Sequence, residues 1–146
     1  MAIIIRDYQD TDAEFLMRAI YDMLTLHEKE SCIAASQNNA VSIFQSFDKS
    51  MSIVAERNGI PVGIICLGRP QLECTREIAI APLIYVVKHL RRGMVSWMLF
   101  REARARLKAA GVERVYHTIS DSNIPAKNFC KAAGFVPFAT HGVLEL

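Results

Sequence analysis

Apolar and polar residues alternate along this chain with two periods, and the switches between them outline its elements. Ile3 to Arg6 reads as a short first strand. Thr11-Asp12-Ala13-Glu14 forms a capping-box pattern, and Phe15, Leu16, Ala19, Ile20, Met23 and Leu24 follow at helical spacing. A second helix is expected over residues 33–47, although its polar stretch from Ser36 to Asn39 fits the pattern poorly. Two apolar runs, 52–57 and 60–67, flank Asn58-Gly59, a pair that favours a tight hairpin because both residues tolerate positive φ. Residues 77–87 are almost wholly apolar, as befits a strand buried on both faces. Pro82 interrupts them. Proline cannot donate to a ladder, so this position predicts a bulge or a point where the neighbouring strand separates.

From Gly93 to Ala110 the period is helical again, with Val95, Leu99, Ala103, Leu107 and Ala110 on one stripe and Gly111 as the terminator. Residues 112–119 predict a strand. Asp121-Ser122-Asn123 predicts the cap of a last helix, which carries Pro125 in its first turn and ends at Gly134. Phe135 to Leu146 is expected to supply one or two final strands. The order β-α-(α)-β-β-β-α-β-α-β implies one α/β domain over residues 1–146, with a mixed, mostly antiparallel sheet. It contains one parallel β-α-β crossover, from the 77–87 strand to the 112–119 strand.

Composition narrows the function classes. The chain has 146 residues, 51% of them hydrophobic, and a net charge of +2, which together argue for a folded globular domain. No apolar run approaches the ~18 residues of a membrane span, and the first residues lack the pattern of a signal peptide. A cytoplasmic location without membrane contact is therefore expected. Cys32, Cys66, Cys74 and Cys130, like the four histidines, are scattered without zinc-site spacing, so no metal is expected. Basic residues concentrate between Lys88 and Lys108, a block that suits phosphate. Its interleaved aromatics are confined to Trp97 and Phe100, which argues against a nucleic-acid surface.

The chemistry is expected where the crossover strand ends. Ligands of such units gather beyond the carboxyl ends of parallel strands. There, Arg91-Arg92-Gly93-Met94-Val95-Ser96 opens a helix whose first N–H groups and dipole favour an anion. Gly93 allows close approach, and Arg91 and Arg92 add charge-assisted hydrogen bonds.

Ile84-Tyr85-Val86, followed by this Arg-x-Gly loop and a helix closed by Gly111, resembles motif A of the GNAT N-acetyltransferase superfamily. Asn123-x-x-Ala126-x-x-Phe129-Cys130-x-x-x-Gly134-Phe135 resembles the signature of that family's next helix. The loop departs from the usual pattern. Met94 and Ser96 stand where glycines are common, and the placement of glycine two positions after arginine is similar to small bacteriophage GNAT-like proteins.

The resemblance implies a GNAT-like fold that binds acetyl-CoA in a cleft between splayed strands, with Pro82 at or near the bulge that opens it. The pantetheine would pair with Ile84, Tyr85 and Val86, and the pyrophosphate would lie on Arg91 to Ser96. Asn123, Lys127 and Cys130 would contribute from the last helix, and Lys131 is a further candidate for the 3′-phosphate. It also implies direct attack of an amine, from a small molecule or a protein, on the thioester in a ternary complex. Glu77 and His117 are the candidate bases. Cys130 stands at the family's tyrosine-acid position, where it would serve as the acid or simply line the cofactor. His117 equally suits a hydrogen-bonded core histidine, Trp97 suits packing against the sheet, and Asn123 suits a plain helix cap. The acceptor side is expected around residues 21–39, with His27, Glu28 and Glu30, and around 138–142, with His141. The rival implication is a weak or inactive GNAT-fold module that binds coenzyme A or regulates another process. A homodimer through the terminal strands is compatible with the pattern.

Overall fold

A computed structural model describes residues 2–139 and 143–146. Its elements are β1 (Ile4–Asp7), α1 (Ala13–Ser31), α2 (Gln37–Ser46), β2 (Asp48–Arg57), β3 (Ile60–Gly68), β4 (Ile78–Val86), α3 (Val95–Ala109), β5 (Arg114–Tyr116) and α4 (Ile124–Ala133). Short 3-10 turns precede α1 (Asp10–Asp12) and follow β4 (Lys88–Leu90). The five strands stand in chain order in one sheet, β1 to β4 antiparallel and β5 parallel to β4. This is the mixed sheet with one crossover that the sequence pattern implies. No helix among the described residues is long and apolar enough to cross a membrane.

Several local expectations shift by a few residues for identifiable reasons. The capping box forms two residues earlier than expected. Gln9 caps the 3-10 turn reciprocally with Asp12, and Asp12 then begins α1. The Asp12 carboxylate is almost wholly buried and accepts two hydrogen bonds from Arg6, at 2.7 and 2.8 Å. Burial alone would raise its pKa, but those bonds and the Gln9 N–H outweigh this and hold it below the usual carboxylate range. In α2, Ser36 is the N-cap, its hydroxyl accepting from Asn39 N–H. The polar stretch that blurred this helix is thus its capped start. Asn58 and Gly59 both take positive φ, 53° and 75°, as a type I′ hairpin requires. Phe135 to Ala139 and Val143 to Leu146 carry no strand, contrary to expectation. His141 and Gly142 lie outside the described residues.

The sheet separates two cores. On one face α3 presents Val95, Leu99, Ala103 and Leu107 to Ile53, Ile65, Ala79 and Ala81. On the other, α1 and α2 present Leu16, Ala19, Ile20 and Ala40 to Val54, Ile64, Cys66 and Leu83. Ala110, the last residue of the expected α3 stripe, is exposed beyond the helix end. α3 comes unusually close to the sheet at Gly63, where a Cβ would lie 3.0 Å from Leu99 and 3.1 Å from Val95.

β4 does not keep strict alternation. Ala79 and Ala81 face α3, but so do Ile84 and Val86, while Leu83 and Tyr85 face α1. Regular alternation would put residues 79, 81, 83 and 85 on one face. The change of parity coincides with a register slip against β3, between the pairs Gly68↔Ile80 and Cys66↔Leu83. One extra β4 residue is accommodated there, at 81–82. The bulge expected from Pro82 is present.

Candidate functional site

The same bulge marks where β4 and β5 part. Their parallel pairing covers only Ile78↔Arg114, Ala79↔Val115 and Ile80↔Tyr116. The strand expected over 112–119 is correspondingly reduced to Arg114–Tyr116, because residues beyond Tyr116 leave β4. The last link is His117 Nδ1, hydrogen-bonded to the Ala81 carbonyl. A carbonyl only accepts, so Nδ1 carries the proton and the Nε2 lone pair of a neutral ring is left available. Desolvation lowers the His117 pKa below the usual histidine value, with the bond to Ala81 opposing it. At neutral pH the ring is therefore uncharged.

Beyond the bulge, β4 has an open edge. Val87 N–H bonds to Val62 O on β3, so the backbone groups of Val86, one residue earlier, point the other way. By the same alternation Ile84 also offers its N–H and C=O to the open side. The Val86 carbonyl does not remain free, since Arg91 Nε donates to it at 2.8 Å. The Arg91 guanidinium also lies 5.5 Å from the centre of the Tyr85 ring. Arg91 is thereby drawn back onto the strand end, whereas the sequence pattern assigned it to an anion. Arg92 is exposed and has no ion pair among the described residues.

The helix-start geometry fits an anion. Gly93 N–H bonds to Leu90 O at 3.1 Å, and Met94 is the N-cap without a side-chain cap bond. The first intrahelical bond runs from Met98 N–H to Met94 O, so the N–H groups of Val95, Ser96 and Trp97 have no partner within the helix. A Cβ on Gly93 would meet only Leu90 O, at 3.4 Å. The fold itself therefore does not require glycine here, and its bare surface leaves the loop open to a close ligand. Met94 is two-thirds exposed at the same mouth.

The remaining candidates divide. Asn123 caps α4 by accepting from Ala126 N–H at 3.3 Å. Lys127 is engaged with Asp121 at 2.6 Å. Cys130 faces inward at 3% exposure, and burial pushes its thiol pKa up. The thiol thus stays protonated, the form a proton donor needs and a nucleophile does not. Glu77 is not brought to the splay. It lies just before β4, on the paired side of the parting, bound to Arg69 at 3.1 Å and four residues short of Ala81. Two open depressions, of about 170 and 340 Å³, border residues 69–78 and 114–116 at this far end.

Trp97 also differs from expectation. Its ring packs on Phe129 of α4, at 4.8 Å, and near Phe100, rather than on the sheet. Phe100 adds Phe129 and Phe135, so an aromatic cluster fastens α4 beside α3. Two side chains of α1 flank the splay, one that the sequence did not single out and one that it placed on the acceptor side. They are Asp22, which accepts from Tyr85 OH at 2.6 Å, and Glu30, which accepts from the Ser120 and Ser122 hydroxyls.

A profile of the acetyltransferase (GNAT) family matches residues 6–135. The chain belongs to this family. Solved structures of GNAT proteins share its fold. The aminoglycoside acetyltransferase AAC(6')-Iy, in complex with the bisubstrate analogue CoA-S-monomethyl-acetylneamine, superposes with a TM-score of 0.73 at 13% identity, covering 100% of this chain and 99% of the other. The PaiA N-acetyltransferase of Thermoplasma acidophilum, in complex with coenzyme A, gives 0.72 at 18% identity, covering 97% and 94%. Ard1 of Thermoplasma volcanium gives 0.73 at 21% identity, covering 95% and 86%. No curated protein matches the chain by sequence. The GNAT family match spans β1 to the end of α4, and so includes both the β4–α3 loop and the Asn123 helix.

Proposed function

We propose that this GNAT protein binds acetyl-CoA in the β4–β5 splay and transfers the acetyl group to an amine. The observation that carries the reading is the parting of the two parallel strands beyond Ile80 and Tyr116, on the strand that leads into the N–H groups, free within the helix, that open α3. The β4 edge at Ile84 and Val86 would pair with the pantetheine, and Val95, Ser96 and Trp97 N–H with the pyrophosphate, Arg92 adding charge. Arg91 acts one step back, holding the strand end and the loop together through the Val86 carbonyl.

Bound acetyl-CoA supplies an activated thioester to an attacking amine. His117 is the base this arrangement favours over Glu77. It sits at the apex of the splay, it is neutral at pH 7, and its Nε2 is the free acceptor. Cys130 keeps its proton and stands on the helix that flanks the cofactor side, where it would donate to the departing thiolate. Asn123 fixes the start of that helix. The bisubstrate complex of the aminoglycoside enzyme supports a small cationic amine as the acceptor class. A protein amine is the alternative, and a homodimer is compatible with either.

A second reading is favoured by particular residues. Met94 and Ser96 replace bare backbone in the loop, and Glu77 is tied to Arg69 on the paired side of the splay, as in a module that binds the cofactor without turnover. Acetyl transfer to a panel of primary amines, followed by release of free coenzyme A thiol, separates the two. The enzyme reading predicts turnover that falls at least tenfold in His117→Ala and persists in Glu77→Gln. Binding of coenzyme A without any turnover would establish the module.

A further inference from the structure

The two contacts made by α1 on the splay have a shared geometry. Asp22 receives the Tyr85 hydroxyl, and Tyr85 belongs to the part of β4 that pairs with β3 but not with β5. Glu30 receives the Ser120 and Ser122 hydroxyls, which belong to the segment that continues β5 toward α4. One helix therefore holds both arms of the splay. Eight residues separate Asp22 from Glu30, or about 12 Å along the helix axis. The two anchors are thus well separated along one helix.

The side of the sheet matters as well. The helix start proposed for the pyrophosphate belongs to α3, and α4 is fastened to α3 by the aromatic cluster. α1 packs on the opposite face, with Leu83 and Tyr85. A cofactor arriving from the α3 side leaves the α1 side for the second substrate.

We propose that α1 is a strap across the splay, and that Asp22 with Tyr85 at one arm and Glu30 with Ser120 and Ser122 at the other are positioning residues that set its width on the acceptor side. The assignment of that side rests on the proposed transferase reading; the strap itself does not. The Glu30 latch is exposed and joins segments far apart in sequence. Its loss should therefore free one arm without dismantling the core.

The test combines hydrogen exchange with cofactor titration on the full chain. Glu30→Ala removes the acceptor oxygens, whereas Glu30→Gln keeps one for the serine hydroxyls. Exchange of amides in 117–123 and in the last turn of α1 should rise at least tenfold in Glu30→Ala and return most of the way in Glu30→Gln. Tyr85→Phe should raise exchange at residues 84–86 in the same manner. Coenzyme A affinity in Glu30→Ala should stay within about threefold of wild type, and in turnover the acceptor KM should rise several-fold with kcat changed less. Unchanged exchange in both Glu30→Ala and Tyr85→Phe overturns the strap. Altered exchange with an unchanged acceptor KM overturns its role on the acceptor side. If wild type binds no coenzyme A, the transferase reading fails, while the exchange result still decides the strap.

Discussion

His117 carries two consequences of one environment. Buried beside the Ala81 carbonyl, it is held neutral, and its Nε2 lone pair is left available at the apex of the splay. The sign of the linkage follows from the lowered pKa. As pH falls below about 6.5, the unfolded chain takes up a proton that the folded protein resists, so stability is complete above that value and declines beneath it. Thermal melting at about pH 7.5 and pH 5.5 should show a drop in Tm on acidification that is smaller in His117→Gln. Equal drops would mean that the ring charges as readily in the fold as in water. The family resemblance and the core alternative offered two roles for this histidine, base or core. The structure shows that a core-type hydrogen bond leaves the basic nitrogen available, so the two roles are compatible. Glu77 illustrates the opposite outcome. Its distance from the loop is invisible in a pattern of apolar residues, because it depends on where the strand pairing ends.

At the level of elements, α3 is positioned by an absence. Gly63 on β3 faces Val95 and Leu99, and an added methyl would also lie 3.2 Å from the Tyr85 carbonyl. Gly63→Ala should therefore cost roughly 1–3 kcal/mol by overpacking, read as a lower urea midpoint with an unchanged m-value. It should also weaken coenzyme A binding, because Val95 belongs to the first turn of α3. A midpoint equal to wild type would show that the helix relaxes without penalty. The elements legible in the sequence were those specified locally: the Asn58-Gly59 hairpin, the stripe from Val95 to Leu107, and the caps at Asn123 and Gly134. Pro82 also disclosed the bulge, since a missing N–H is a local fact with a long-range result. The contacts of Arg91, Asp22 and Glu30 were not legible. Each depends on which elements meet across the sheet, and an arginine before a helix reads the same whether it faces a ligand or its own strand.

For the molecule as a whole, the family assignment and the splay point to one central claim, that the open β4 edge and the start of α3 together bind coenzyme A. The chain's departures from the usual loop, Met94 and Ser96, retain the backbone donors while adding side chains at the mouth. Affinity therefore tests the account more directly than activity, which also depends on an unidentified acceptor. The decisive measurement is a calorimetric titration of coenzyme A into wild type and Arg92→Glu. The account predicts saturable one-site binding in wild type and an affinity at least tenfold lower in the variant. Absence of heat at millimolar coenzyme A, or equal affinity in the two proteins, would contradict it.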